Sequence, residues 1–437
     1  MHLLLAATAP SAEPSPWMII PFAIMLLSIA VMPFVAHDWW ERHYPKVSVG
    51  LGALTICYYL LVLRDGHRML EVGHEYVSFI ALIGSLFVAA GGIHISVKGE
   101  AKPWVNGLFL LVGAVLANLI GTTGASMLLI RPWIRMNRYR ITAYHIVFFI
   151  FVVSNVGGCL TPIGDPPLFL GFLKGVPFLW VLEHCWAAWT IVVVLLVGIF
   201  TVIDSINFGR APVEVREELT KEESWGFQGL TNVLYLAAII AAVLLNKVLP
   251  FPVPELIMFG AAFASFRTTP RQVHEANQFS FAPINEVVWL FIGIFATMVP
   301  ALDYLHLHAA TLGLSTPMQF YWSTGFLSGF LDNAPTYLTF LAAATGAQGL
   351  DLDSPADILR FIETDNHFLV AISLGAVFFG ALTYIGNGPN LMVKSISSHQ
   401  GVRPPSFFGY LFCYAMPVLL PIFALISILF FSRWAIF

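Results

Sequence analysis

Charge is what this chain has least of. Only 11% of its 437 residues are Asp, Glu, Lys or Arg, while 58% are hydrophobic. Soluble domains carry about 25% charged and about 45–50% apolar residues. So few polar groups cannot cover a water-facing surface of this length. That excludes a soluble enzyme, a disordered chain and a nucleic-acid binder. The formal net charge of −4 is too thinly spread to form a patch for a partner. Cysteine is scarce as well. Cys57, Cys159, Cys185 and Cys413 lie in or beside apolar runs without CxxC or metal-ligand spacing, so they read as small buried hydrophobes. No HExxH or GxSxG occurs. The opening MHLLLAATAPSAEPSP lacks a basic n-region, and its apolar run is short, so it reads as an extracytoplasmic tail.

Long apolar runs are what the chain has instead. A bilayer-crossing helix needs roughly 20 apolar residues. Ten runs qualify or nearly so: 17–35, 47–63, 76–95, 141–158, 185–204, 231–248, 254–266, 286–302, 367–385 and 406–432. Two more, 104–134 and 319–346, are interrupted midway by GTTGAS at 121–126 and DNAP at 332–335. Each is too long for one clean span, and a re-entrant hairpin with its tip inside protein fits both. With the N-terminus outside, fifteen basic residues fall on cytoplasmic segments and six outside, as the positive-inside rule expects. The acidic stretch 351–365 falls outside. Trp104, Trp133, Trp180 and Trp322 near span ends read as interfacial anchors.

The polar linker 205–226 divides the chain into 1–204 and 227–437. Each part carries three spans, a hairpin and two spans. In the first these include hairpin 104–134, a broken span 141–173 and span 185–204. In the second they include hairpin 319–346, a broken span 367–396 and span 406–432. Five spans per part is odd, so the second part enters from the opposite side, as in the inverted repeats of many secondary transporters. Residues repeat too. GCLTPIGDPP at 158–167 and GALTYIGNGP at 380–389 agree at six of ten positions, at an offset of 222. Gly164, Gly386, Pro167 and Pro389 would interrupt a helix in mid-membrane; proline kinks used only for packing are the alternative. The expected fold is all-α and polytopic: about ten transmembrane helices, two re-entrant hairpins and two broken helices in an inverted-topology repeat.

An unwound helix frees backbone groups that an ion or substrate can satisfy. The four interruptions are rich in oxygen. The first tip offers Asn118, Thr122, Thr123 and Ser126. The first break offers Ser154, Asn155, Thr161 and Asp165. The second tip offers Ser328, Asp332, Asn333 and Thr336, and the second break Thr383, Asn387 and Asn390. Hard cations favour such ligands; soft metals want thiolates or imidazoles, and only Cys159 is near. Sodium is expected at Asp165, Asp332, Asn155 and Asn333. A desolvated carboxylate favours its protonated form, whereas a nearby cation favours the ionised one. One such group therefore holds a proton or a sodium ion, which is a minimal mechanism for exchange. Either aspartate could instead cap a half-helix. In the repeat Asp165 faces Asn387, and Asp332 faces Gly121.

Other polar residues carry less. His145 could relay protons, or be a hydrogen-bonded core histidine. His94 reads as interfacial. Lys394 could snorkel to the cytoplasmic face or neutralise a carboxylate when no cation is bound. Lys174 holds a loosely comparable place. Glu255 and Asp303, near span ends, read as solvated.

With these motifs placed, the chain resembles the ion transporter superfamily of NhaD-type sodium/proton antiporters, arsenite permeases and divalent-anion/sodium symporters. SNVGGCLTPIGDPP at 154–167, SGFLDNAPTYLTF at 328–340 and LTYIGNGPN at 382–390 carry the resemblance. SNVGG followed by PIGDP looks most like the antiporter branch, and DNAP like the arsenite and antiporter branches. The dicarboxylate symporter branch usually carries Ser-Asn-Thr at both tips, where this chain has GTTG and DNAP. The resemblance implies a homodimer with a scaffold and an elevator-like transport domain, and sites at the tips and breaks.

The expected function is secondary active sodium (or lithium)/proton antiport in the bacterial inner membrane, with both termini extracytoplasmic. Sodium and protons are cargo, and no cofactor is expected. The expected partners are a monovalent cation, the bilayer and a second copy of the chain, with no nucleic acid. Arsenite efflux and sodium-coupled di- or tricarboxylate symport remain alternatives. A polytopic membrane enzyme is the remote one: Ile163-Gly164-Asp165 invites comparison with the GxGD of intramembrane aspartyl proteases, but Pro162 replaces the first glycine.

Overall fold

The computed structural model describes residues 13–96, 102–209, 226–308 and 313–432. The N-terminal tail up to residue 12 and linker residues 210–225 lie outside the described residues. The chain is an all-α multi-pass membrane protein. Among the described residues, nine helical stretches are long and apolar enough to cross a bilayer. The one β-element described is a short antiparallel pair, His94–Ser96 with Gly226–Gln228.

Small residues set the closest helix contacts, as is usual where lipid removes most of the hydrophobic drive. Helix His37–Tyr58 packs along Ala282–His308. A Cβ on Gly293 would lie 2.9 Å from Ser48 Cα, and one on Gly52 would lie 3.3 Å from Ala296 Cβ. Helix Gly66–Gly91 is buried along its second half and packs on Val253–Thr268, Ala282–His308 and the first hairpin. Side chains such as Leu61, Val62, Leu234 and Phe263 stay exposed and supply the lipid-facing surface.

Residues Pro103–Met136 are helical throughout except at Gly121, with φ 77° and ψ 154°. That backbone conformation is open essentially only to glycine, and the chain reverses there. Asn106 and Asn137 hydrogen-bond each other, Phe109 stacks on Trp133, and Gly113 faces Leu129. Two arms therefore lie side by side. The second hairpin is Pro317–Phe330 and Asn333–Ala347, turned at Leu331 and Asp332. Phe320 of one arm meets Phe340 of the other.

Several expectations change here. The runs at 231–248 and 254–266 form helices of 13 and 16 residues (Asn232–Leu244 and Val253–Thr268), shorter than a regular span. Pro250, Pro252 and Pro254 divide the run between them. Trp133 and Trp180 are not interfacial but buried. The Trp133 ring N–H donates to the His145 carbonyl among Phe109, Phe149 and Phe200. Cys159 and Cys185 are buried and unpaired, but Cys57 and Cys413 are exposed on the outer helices. Glu255 is not solvated, and Asp303 is only partly so. Glu255 is 2% exposed and accepts the Ser78 hydroxyl at 2.5 Å, and Asp303 accepts Tyr59 and Arg68.

Candidate functional site

Both breaks interrupt helices in the same way. The first runs from Ala143–Val152 through a single turn at Val156–Leu160 to Pro166–Leu173. The second runs from Pro355–Phe379 through Gly380–Leu382 to Gly388–His399. Pro167 and Pro389 lie in the first turns of the resumed half-helices. There a missing N–H costs nothing, so they start helices rather than kink them. The repeated glycines touch: Gly158 backs onto Gly164 and Gly380 onto Gly386, too close for a Cβ on Gly164 or Gly386.

The freed backbone groups are satisfied by repeated side chains. The Thr161 hydroxyl donates to the Asn118 carbonyl at 2.6 Å and accepts the Gly164 N–H at 3.0 Å. The Thr383 hydroxyl donates to the Gly329 carbonyl at 2.6 Å and accepts the Gly386 N–H at 3.2 Å. Each threonine thus ties a break to the hairpin of its own half. Asn118 adds a bond from its amide to the Gly157 carbonyl, and its oxygen accepts the Leu160 N–H. Ser126 pairs with Ser154, and Ser328 donates to the Ala376 carbonyl.

One side chain touches all four interrupted elements. Asp165 is 1% exposed and accepts three hydrogen bonds. They come from Thr122 of the first tip (2.9 Å), Asn333 of the second tip (2.6 Å) and Asn387 of the second break (2.9 Å). It is also the residue from which helix Pro166–Leu173 starts, yet its carboxylate makes no capping bond. Asp332 behaves differently. It is half-buried, accepts the Ala334 N–H at 3.0 Å as a helix cap, and its carbonyl accepts the Thr336 hydroxyl. The capping alternative thus describes Asp332 and not Asp165.

Asn155 and Asn390 join the two breaks. Asn155 donates to Asn390 Oδ1 at 2.7 Å, and Asn390 donates to the carbonyls of Gly380 and Thr383. Asn155 Oδ1 and Asn333 Oδ1 are buried and accept nothing. In front of Gly380, the point a Cβ would take lies 3.0 Å from Asn155 Oδ1, 3.3 Å from the Gly386 carbonyl and 3.4 Å from Asn333 Nδ2. Two of these three atoms are oxygens, the donor type a hard cation favours, and the third is the amide nitrogen that donates to Asp165. On the other side of Asp165 a cavity of about 20 Å³, the scale of a single water or ion, is bounded by Leu82, Leu86, Gly121, Thr122 and Thr123.

The structure gathers Thr122, Asn333 and Asn387 on Asp165, and the Asn155–Asn390 pair joins them through the backbone of Ser154 and Asn387. Thr161, Asn118 and Thr383 hold the backbone frame. Thr123 lines the cavity, and Thr336 serves the cap. Lys394 lies apart, its ammonium 4.5 Å over the Tyr384 ring. His94 is buried against Asn277.

Sequence reasoning missed a second polar cluster. Asp204, fully buried at the end of helix Trp180–Phe208, pairs with Arg140 and accepts Asn106 and Tyr144. His145 Nε2 lies 3.2 Å from it, so His145 is the core histidine of the two readings. An aspartate closing an apolar run was the available signal.

A family profile described as "Putative citrate transport" matches residues 11–431, and the chain belongs to this transporter family. A search among curated proteins finds no match.

Proposed function

We propose that this transporter exchanges sodium, or lithium, for protons by alternating access. The observation that carries the reading is Asp165, a buried carboxylate whose three partners are a hydroxyl and two amides. No Lys or Arg side chain of the described residues reaches it. A buried carboxylate needs a compensating charge or a proton. With neutral partners only, its options are a cargo cation or a proton, and each excludes the other. The sodium ligands proposed are Asp165, Asn155 and Asn333, with the Gly386 carbonyl. Asp332 lies at the same tip and adds negative charge, with its oxygen engaged in a cap.

The exchange follows from electrostatics. Sodium binding beside ionised Asp165 neutralises the site and lets it cross a low-dielectric barrier. Protonation of Asp165 on the other side removes the ion's partner and returns the neutral site. An ionised, ion-free site is penalised by desolvation, which prevents uncoupled return. We further propose that 1–204 and 227–437 are inverted repeats, that both hairpins are re-entrant, and that the protein is an inner-membrane homodimer with extracytoplasmic termini.

A second reading is sodium-coupled di- or tricarboxylate symport, which the family description favours. The N-termini of helices Pro166–Leu173 and Gly388–His399 would then meet the anion. Asp165 at the centre of the site repels that anion, which is why we place antiport first.

Everted vesicles separate the readings. With antiport, adding sodium dissipates a respiration-generated pH gradient, and Asp165→Asn abolishes the response. A pH gradient indifferent to sodium and lithium, together with sodium-driven citrate uptake in proteoliposomes, would overturn antiport in favour of symport.

A further inference from the structure

A second ionic cluster lies away from Asp165 and outside the transport chemistry just described. Lys174 ends the half-helix that Asp165 begins, and its ammonium meets Asp353 at 2.5 Å and Glu75 at 2.6 Å. Arg68 meets Asp353 at 2.6 Å and Asp303 at 2.8 Å, and Tyr59 donates to Asp303 at 2.7 Å. Burial alone would raise the Asp353 carboxyl, but the cations Lys174 and Arg68 outweigh it and hold it down at about 2. It stays ionised at any physiological pH.

The bonds divide into two kinds. Lys174 and Asp353 belong to the interrupted elements: one closes the first broken helix, the other follows the second hairpin. They form a single patch. Gly175, with φ 113°, lets the turn after Lys174 dock on Pro355, whose Cα would lie 3.2 Å from a Cβ there. Glu75, Arg68, Tyr59 and Asp303 stand on the uninterrupted helices His37–Tyr58 (with its continuation to Leu63), Gly66–Gly91 and Ala282–His308. Two ion pairs cross between the groups: Lys174–Glu75 and Arg68–Asp353. Two stay within a group: Lys174–Asp353 and Arg68–Asp303.

We propose that this cluster is a reversible clasp between the moving and the static parts of the transporter, and that it opens each time Asp165 gains access to the face it covers. The proposal rests on the alternating-access reading. Asp165 is buried and must reach water to exchange cargo. Helix Pro166–Leu173 is rigid and two turns long, so displacement of Asp165 carries Lys174 with it. Stripping one partner from a buried ion pair is costly because it leaves an uncompensated charge. Here separation leaves Lys174 with Asp353 and Arg68 with Asp303. Among the charged groups only Glu75 loses its partner, and its side chain is already 18% exposed; His306 also gives up the Leu350 carbonyl at 3.0 Å. The opposite contact between the two groups is apolar, built from Phe87 and Val88 against Met127, Met392 and Ile396, so the ionic grip is confined to one end.

The test uses the full chain in proteoliposomes, with the native cysteines replaced. A Glu75→Cys/Lys174→Cys pair joined by a bifunctional thiosulfonate should lose sodium-driven proton flux and regain it on reduction; flux that persists in the joined protein overturns the clasp. Independently of cargo, a reporter cysteine at Leu82 should react about fivefold or more faster with an impermeant maleimide when Asp353→Asn is added. Glu75→Gln is the second variant, and both are checked for an unchanged gel-filtration profile. An unchanged labelling rate in both variants overturns the clasp even where wild-type antiport is intact. Faster labelling in a protein without sodium/proton flux upholds the clasp and rejects the antiport reading instead.

Discussion

The two breaks are alike in frame and unlike in charge. At both, a threonine hydroxyl bonds a hairpin carbonyl at 2.6 Å and receives the N–H of a glycine three residues on. At both, paired glycines touch and a proline opens the resumed helix. The threonine–glycine frame that holds the open backbone is therefore duplicated, while Asn118 at the first break and Asn390 at the second each add bonds the other lacks. The difference in charge is one atom pair, the carboxylate of Asp165 against the amide of Asn387, which meet at 2.9 Å. What two copies share is explained by stability, and the charge that only one carries is left for function.

The strongest way to break this comparison is to erase it. Asp165→Asn makes the breaks equal in charge and should reduce sodium-dependent proton flux to the level of protein-free vesicles. Exchanging the two residues sharpens it. Asp165→Asn with Asn387→Asp keeps one carboxylate and one amide in contact, so flux should recover above both single variants. A double-mutant cycle should give a coupling energy of about 0.5–3 kcal/mol; simple additivity would show that the place of the charge, not the pair, matters.

Gly380→Ala tests the oxygen cluster without touching charge. Its methyl would sit 3.0 Å from Asn155 Oδ1. Overpacking of this kind costs about 1–3 kcal/mol, so half-maximal sodium should rise about tenfold or more. At the second tip the effects should be smaller. Asp332→Asn keeps a good cap and should remain folded with most of its flux, whereas Asp332→Ala should lose about 1 kcal/mol of stability. Complete loss in Asp332→Asn would promote this residue from cap to coupling group.

The smallest effect concerns acid stability. Asp353 is held down at about 2 in the fold, below the usual carboxylate value of about 3.9. Its contribution is present above the unfolded value and lost as pH falls toward the folded one. Thermal unfolding between pH 5 and 2.5 should therefore decline more steeply in wild type than in Asp353→Asn.

The interruptions were legible because glycine, proline and oxygen-bearing side chains stand out against apolar runs, and because the motif at 158–167 recurs at 380–389. Convergence on Asp165 was legible only in outline. The sequence offers fifteen polar candidates at four places; which of them reach one carboxylate depends on how the hairpins seat. The clasp was not legible, since Arg68 and Asp303 at span ends look solvated until the helices that bring them together are placed. Trp133 and Trp180 misled for the same reason: nearness to a span end does not say which face of the helix meets lipid. The short helices at 232–244 and 253–268 follow from three prolines within five residues.

The first hairpin is fastened where it begins. Asn106 and Asn137 exchange bonds at 2.7 and 3.1 Å, and Asn106 also reaches Asp204, which Arg140 grips. The base of the hairpin is therefore tied to helix Trp180–Phe208 through Asp204 and to the start of helix Ala143–Val152 through Arg140, while Thr122 at the tip holds Asp165. One knot, some 15 residues along each arm from the tip, thus seats the hairpin on two neighbouring helices far from the carboxylate that its tip touches.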